Sequence, residues 1–313
     1  MSAIIEIVLP VFGVILCGYV VGKTPLLGPE GLKGFANFVF CVAIPALLFR
    51  TIARGTGADM ADFSLVYSYF LGCLIVFGLA LVVGRILFRL PLQDLGVFGM
   101  GAVFSNTVML AIPLVYTAFG DEGLTRIMFI VTFHSMILIP LATVVVEIGR
   151  GSKAGVPIHV LGSTMVSLAK TPVIASIVAG LAWAYTGWSL PGPVDKFLEL
   201  LGGGGVPCSL FALGASLTTF HLGGGPRQSA ALLALKLGVH PVVAWVLASQ
   251  VFALDPLSVS VAVVTASLPT GINVFILAQR YDRYVARAAT AVLVSTIVSA
   301  VTVGVLLGLM GVR

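Results

Sequence analysis

Residues 99–120 read GMGAVFSNTVMLAIPLVYTAFG, and residues 263–282 read VVTASLPTGINVFILAQRYD. In the first, Asn106 stands seven residues ahead of Pro113; in the second, Pro269, Gly271 and Asn273 crowd together. Both are apolar runs with small polar residues at their centres. A proline removes a backbone donor and clashes with the preceding turn, so a helix through either stretch is interrupted. At bilayer depth the freed amides and carbonyls must be satisfied by protein, water or ligand. An interrupted helix also presents half-helix ends, which carry partial positive and negative character without a formal charge. Prolines occur in membrane helices as plain kinks too, and Asn as hydrogen-bonding glue between helices. That the pattern occurs twice favours a binding site, since paired interrupted helices point to the site of a transporter.

The rest of the chain has the same character. Of 313 residues, 59% are hydrophobic and only 9% charged, against about 25% charged in an ordinary soluble domain. One soluble core of this length cannot hide so much apolar surface, whereas spans of about 20 residues each can place it in a bilayer. Apolar runs predict ten membrane helices, near 4–22, 34–53, 63–84, 95–118, 124–148, 172–189, 197–220, 229–252, 257–279 and 285–311. The fold class is therefore an all-α membrane protein. The longest polar connection, 149–170, divides the chain into five-helix units at 1–148 and 171–313. Five spans per unit is odd, so the units have opposite orientations, the plan of an inverted repeat. The quoted stretches fall in the fourth helix of each. The second helices also match: VAIPALLF at 42–49 against GGVPCSLF at 204–211 shares Pro, Leu and Phe.

Basic residues set the orientation. With the N-terminus outside, inner loops carry Lys23, Lys33, Arg85, Arg89, Arg150, Lys153, Lys170, Arg227, Arg280, Arg283 and Arg287; the outer side has Arg50, Arg54, Arg126, Lys196 and Arg313. Both termini are therefore expected outside, and the net charge of +5 reflects topology. The basic residues form no stripe, so nucleic acid is not an expected partner; the lipid bilayer is. Glu6 stands where a signal peptide carries basic residues, so the first run reads as a retained span. Cys17, Cys41, Cys73 and Cys208 have no C-x-x-C spacing, and no metal or other cofactor is expected.

The stretches Ser105-Asn106-Thr107-Val108-Met109-Leu110-Ala111-Ile112-Pro113 and Pro269-Thr270-Gly271-Ile272-Asn273, the latter followed by Phe275, resemble the auxin efflux carrier family. Its patterns are similar to S/P-N-T-x-x-x-x-I-P in the fourth helix and P-x-G-x-x-x-F in the ninth. Helix number and orientation also resemble the family, so the likeness spans the chain. The resemblance implies a secondary carrier of a small organic anion, a carboxylate such as malonate or malate or an auxin-like acid, in a bacterial inner membrane. It implies that helices four and nine cross at Pro113 and Pro269 and that helices one, two, six and seven form a scaffold, through which the protein forms a homodimer. The rest would move as a transport domain by elevator-type alternating access. Substrate-binding candidates are then Ser105, Asn106, Thr107, Pro113, Pro269, Thr270, Gly271 and Asn273. The central connection is too short for the regulatory loop of plant members.

No Asp or Glu falls mid-span. His134 and Lys236 are the candidates for a proton or anion relay. Their plainer readings are a hydrogen-bonded packing histidine and a lysine snorkelling to the inner surface. His240, just before Pro241, reads as part of a kink. Ser295, Thr296 and Ser299 either line a polar cavity or bond to their own helix. Gly202–Gly205 lacks the Lys and Ser or Thr of a phosphate loop and reads as close helix packing or local unwinding before Pro207. Trp183, Tyr185 and Trp188 fit an interfacial belt. A sodium-coupled organic-anion symporter of the bile-acid type is the alternative carrier, though its acidic sodium ligands have no counterpart here. An intramembrane enzyme lacks its aspartate pair, Ser–base pair or H-E-x-x-H. A passive channel is separated from a carrier by saturable counterflow.

Overall fold

The structure is a computed structural model describing residues 4–55, 63–151 and 158–311. Among these it is all-helical, with α1 Glu6–Gly22, α2 Gly28–Arg54, α3 Phe63–Phe88, α4 Leu92–Val103 and α5 Thr107–Gly149. The second part comprises α6 Ile158–Ala169, α7 Pro172–Tyr185, α8 Gly192–Thr219, α9 Pro226–Val251, α10 Pro256–Ser267, α11 Asn273–Tyr281 and α12 Val285–Leu309. By length and composition, α2, α3, α5, α8, α9 and α12 can cross a membrane. Gly120, at φ 64° and ψ −154°, divides α5 into two rods. The expected fourth span corresponds to α4 with the opening of α5, and the ninth to α10 with α11.

The connection at 149–170 departs from the sequence reading. Its second half is helical, as α6. Residues 152–157, with Lys153, and Arg313 lie outside the described residues.

Prolines shape these helices in a recurrent way. Pro10, Pro45, Pro113 and Pro241 each come two residues after a π-helical turn, at Ile4–Val8, Val39–Ala43, Thr107–Ala111 and Ala234–Val239. The wider turn moves the hydrogen-bond register by one residue, as when the Ala111 N–H donates to the Asn106 carbonyl at 3.0 Å. The bond that proline cannot make is thus skipped, and the helix continues instead of ending. Pro113 accordingly begins a regular stretch of helix. The interruption lies upstream, at Phe104–Asn106, where Phe104 is extended and Asn106 has φ −77° and ψ 77°.

Helix packing falls into two groups. α1 lies along α8, and α2 packs on α7 and α8. The α1–α8 backbones approach so closely that a Cβ at Gly18 would strike the Phe211 carbonyl and one at Gly214 the Ile15 carbonyl. Gly202 and Gly205 likewise sit against Leu47 and Ala43 of α2, as the close-packing reading expects. Arg50 near the end of α2 reaches Asp195 in the first turn of α8 at 2.9 Å. In the other group α3, α4, α5, α9 and α10 pack on one another, burying Tyr69, Phe98, Met100, Leu110 and Leu124 completely. The opposite face of α3 exposes Leu71, Leu74, Ile75, Leu79, Val82 and Ile86. An apolar stripe of this length suits a hydrocarbon surrounding. Tyr185 and Trp188 are exposed, and Trp183 donates its indole N–H to the Trp188 carbonyl.

Candidate functional site

The two interruptions pair with each other. Ser105 and Thr270 form an isolated antiparallel bridge; the Asn106 N–H donates to the Pro269 carbonyl at 3.0 Å and the Gly271 N–H to the Phe104 carbonyl at 2.8 Å. Backbone groups freed by each break are thus satisfied by the other, which is how non-helical backbone survives in an apolar interior. Glycine is required at 271, where a Cβ would stand 2.9 Å from both the Ser105 carbonyl oxygen and the Phe104 ring. The meeting point is therefore Ser105 with Thr270, not Pro113 with Pro269. Thr270 is locked by its hydroxyl donating to the Gly101 carbonyl at 2.9 Å and its N–H donating to Ser295 Oγ at 3.0 Å.

A cavity of about 470 Å³ opens beside this junction. Of the substrate-binding candidates, Ser105, Asn106, Thr107, Gly271 and Asn273 line it, whereas Pro113, Pro269 and Thr270 do not. The cavity begins at two helix N-termini, since α5 starts at Thr107 and α11 at Asn273. Amides in a first helical turn lack intrahelical partners, and the dipole there favours negative charge. Asn106 is 7% exposed, and its Nδ2 has no hydrogen-bond partner among the described residues. A buried amide donor in that state takes its acceptor from water or from a bound molecule. Ser135 and Ser216 add hydroxyls to the wall; among the described residues Lys33, exposed, is the charged one in the lining, which has no Asp or Glu. Donors and partial positive charge thus converge on a space large enough for a small carboxylate.

The opposite side of Ser105 holds the relay candidates. Its N–H donates to His134 Nε2 at 3.2 Å, and its hydroxyl donates to the Thr265 carbonyl at 2.6 Å. Lys236 Nζ donates to Ser105 Oγ at 2.9 Å and to the Ala266 carbonyl at 2.6 Å. Lys236 is wholly buried, so it does not snorkel: its acceptors are inside the helix group. His134 is also wholly buried and packs on Phe104, with ring centroids 4.5 Å apart. His240 is more than a kink residue, because its Nδ1 lies 3.4 Å from Lys236 Nζ and its Nε2 3.5 Å from Cys73 Sγ. Ser295, Thr296 and Ser299 bond to carbonyls of their own helix, Ser295 also holding Thr270. Sequence reasoning missed Ser135, Ser216 and the linking of Ser105 to Lys236. The first two are ordinary span serines, and Ser105 and Lys236 are 131 residues apart, so no local spacing signals them.

Comparison with known proteins bears on this arrangement. The family model described as "Membrane transport protein" matches residues 3–307. A Rhizobium meliloti protein named "Putative malonate transporter" is 29% identical over 303 residues, covering 97% of this chain and 94% of its own. An "Uncharacterized transporter" of Methanothermobacter thermautotrophicus is 28% identical, with 95% of each chain covered. "Auxin efflux carrier component 8" of Arabidopsis thaliana is 22% identical, with 88% of each covered.

Proposed function

This chain belongs to the membrane transport protein family that includes the auxin efflux carriers, and from that premise we propose that it is a secondary carrier of a small organic anion, with malonate as the leading substrate. One observation carries the reading: the unpaired Asn106 amide and the N-termini of α5 and α11 meet at one cavity free of carboxylates. A carboxylate held by neutral donors and helix ends is bound without a full opposing charge that would trap it. The malonate relative supports the choice of substrate class.

On this reading the units 1–148 and 171–313 are inverted five-helix repeats joined by 149–170, making ten spans with both termini outside a bacterial inner membrane. α1, α2, α7 and α8 form the scaffold, which also carries a homodimer contact. The remaining helices move as one body and take the paired breaks with them, in an elevator-like step. In this orientation the cavity, which reaches Pro29 and Lys33, opens to the cytoplasm. Each negative charge moved across a potential of about 100 mV contributes about 2.3 kcal/mol, roughly fiftyfold, and malonate ionised at both carboxyls carries two, so uncoupled movement favours export from an inside-negative cell.

Counterflow of labelled malonate and of indole-acetate in proteoliposomes with clamped potential and pH tests the function. Saturable exchange of malonate is the expected result. Ohmic currents far above carrier turnover would replace the carrier with a channel, and exchange of neither acid by folded protein would overturn the anion reading.

A further inference from the structure

The surroundings of Lys236 raise a separate question, because a buried ammonium is costly unless compensated. Among the described residues it takes part in no ion pair. Its acceptors are the Ala266 carbonyl at 2.6 Å and Ser105 Oγ at 2.9 Å, and Ser105 in turn donates to the Thr265 carbonyl. Thr265 and Ala266 belong to the last turn of α10. The ammonium therefore sits at a half-helix C-terminus, the negative end of the dipole. Contacts of these lengths are those of charge-assisted hydrogen bonds. With His240 accepting at Nδ1, 3.4 Å away, its Nε2–H points to Cys73 Sγ, and the three ammonium hydrogens all have acceptors.

Carriers built on broken helices use carbonyls at half-helix C-termini to hold a coupling Na⁺ or H⁺. We infer that Lys236 is a resident cation: its ammonium fills a monovalent-cation seat formed by the Ala266 carbonyl and the Ser105 hydroxyl, so that the transport cycle proceeds without a coupling sodium ion. The same bonds tie α9 to both breaks, at Ser105 after α4 and at the end of α10, and keep the junction's carbonyl side neutralised while its amide side faces the cavity. Shortening the side chain to serine vacates the seat and opens it to a small alkali cation. The transport consequence rests on the carrier reading above; the binding consequence does not.

The test compares wild type, Lys236→Ser, Lys236→Met and Lys236→Arg in sodium, lithium and choline chloride at about 0.15 M. Thermal stability of the purified protein is read first, then malonate counterflow. Wild type should melt and exchange alike in all three salts. Lys236→Ser should melt lower in choline than in sodium or lithium, and its exchange should fall about tenfold or more in choline and recover in sodium, as for a lost charge-assisted bond. Lys236→Met, which fills the seat without charge, should stay impaired in every salt. A wild type that needs sodium, a Lys236→Ser protein indifferent to cations, or a Lys236→Met protein as active as wild type overturns the inference. Should Lys236→Ser fail to fold, the wild-type and Lys236→Met arms still decide it. Should wild type carry no malonate, the carrier reading fails alone and the melting comparison still tests the seat.

Discussion

At the level of single residues, the junction depends on side chains that are small or fully engaged. Gly271 meets the Ser105 carbonyl and the Phe104 ring at distances no Cβ tolerates, and the obstructing carbonyl belongs to backbone that the paired breaks hold fixed. Gly271→Ala should therefore destabilise the protein by about 1–3 kcal/mol and abolish exchange. Gly78→Ala in α3, where nothing lies within 4 Å, should stabilise it by about 0.5–1 kcal/mol. Thermal melts of the two variants check both signs. Asn106, Gly271 and Asn273 were legible in the sequence because polar and helix-breaking residues in an apolar run announce themselves. Lys236 stands out in the sequence as a charge within an apolar run, but its surroundings are not legible there. A lysine near a span end ordinarily snorkels, and only the packing of α9 against α10 shows that its acceptors lie inside.

Among the elements, the polar, proline-bearing pattern marks both interrupted segments, and the first departs from helix at Phe104–Asn106, upstream of Pro113. Proline is the usual breaker, yet Pro113 is absorbed by the π turn Thr107–Ala111, and the chain departs from helix at Phe104, where pairing with the second break gives the backbone other partners. Sequence carries no simple signal for a π turn, so the displacement from Pro113 to Phe104 was not readable. The segment 149–170 misled for a related reason, its Gly and Pro at the front masking a helix behind. The element that ends in the second break starts with a cap: Asp255 accepts from the Leu257 and Ser258 N–H groups at 3.1 Å and from Arg126 at 3.3 Å. Burial pushes its carboxyl upward, but the bonds from Ser258 and Leu257 and the charge of Arg126 outweigh this and hold it below the usual carboxylate range. A group with a lowered folded pKa contributes stability above its unfolded value, near 4, and loses it as pH falls through the folded value. Asp255→Ala should cost about 0.5–2 kcal/mol at neutral pH, and the difference should vanish once the wild-type carboxylate is protonated. Melting curves of both proteins, stepped down from about pH 7 to below the folded carboxylate's titration, check this.

For the whole molecule, composition alone dictated an apolar exterior and helical spans, and the exposed stripe of α3 with the close-packed α1–α8 pair is what that composition produces. Which helices pack together was not readable from the residues, because hydropathy identifies spans but says nothing of which span lies beside which. The proposed function rests on the cavity at the paired breaks. The measurement that bears most directly on it is malonate affinity, by concentration-dependent counterflow, in wild type and Asn106→Ala with melting temperatures matched. If the Asn106 amide, unpaired among the described residues, holds the substrate, its loss should weaken binding about tenfold or more. Unchanged affinity and flux in the well-folded variant would contradict the account, and the substrate site would have to lie elsewhere than at the junction of the two breaks.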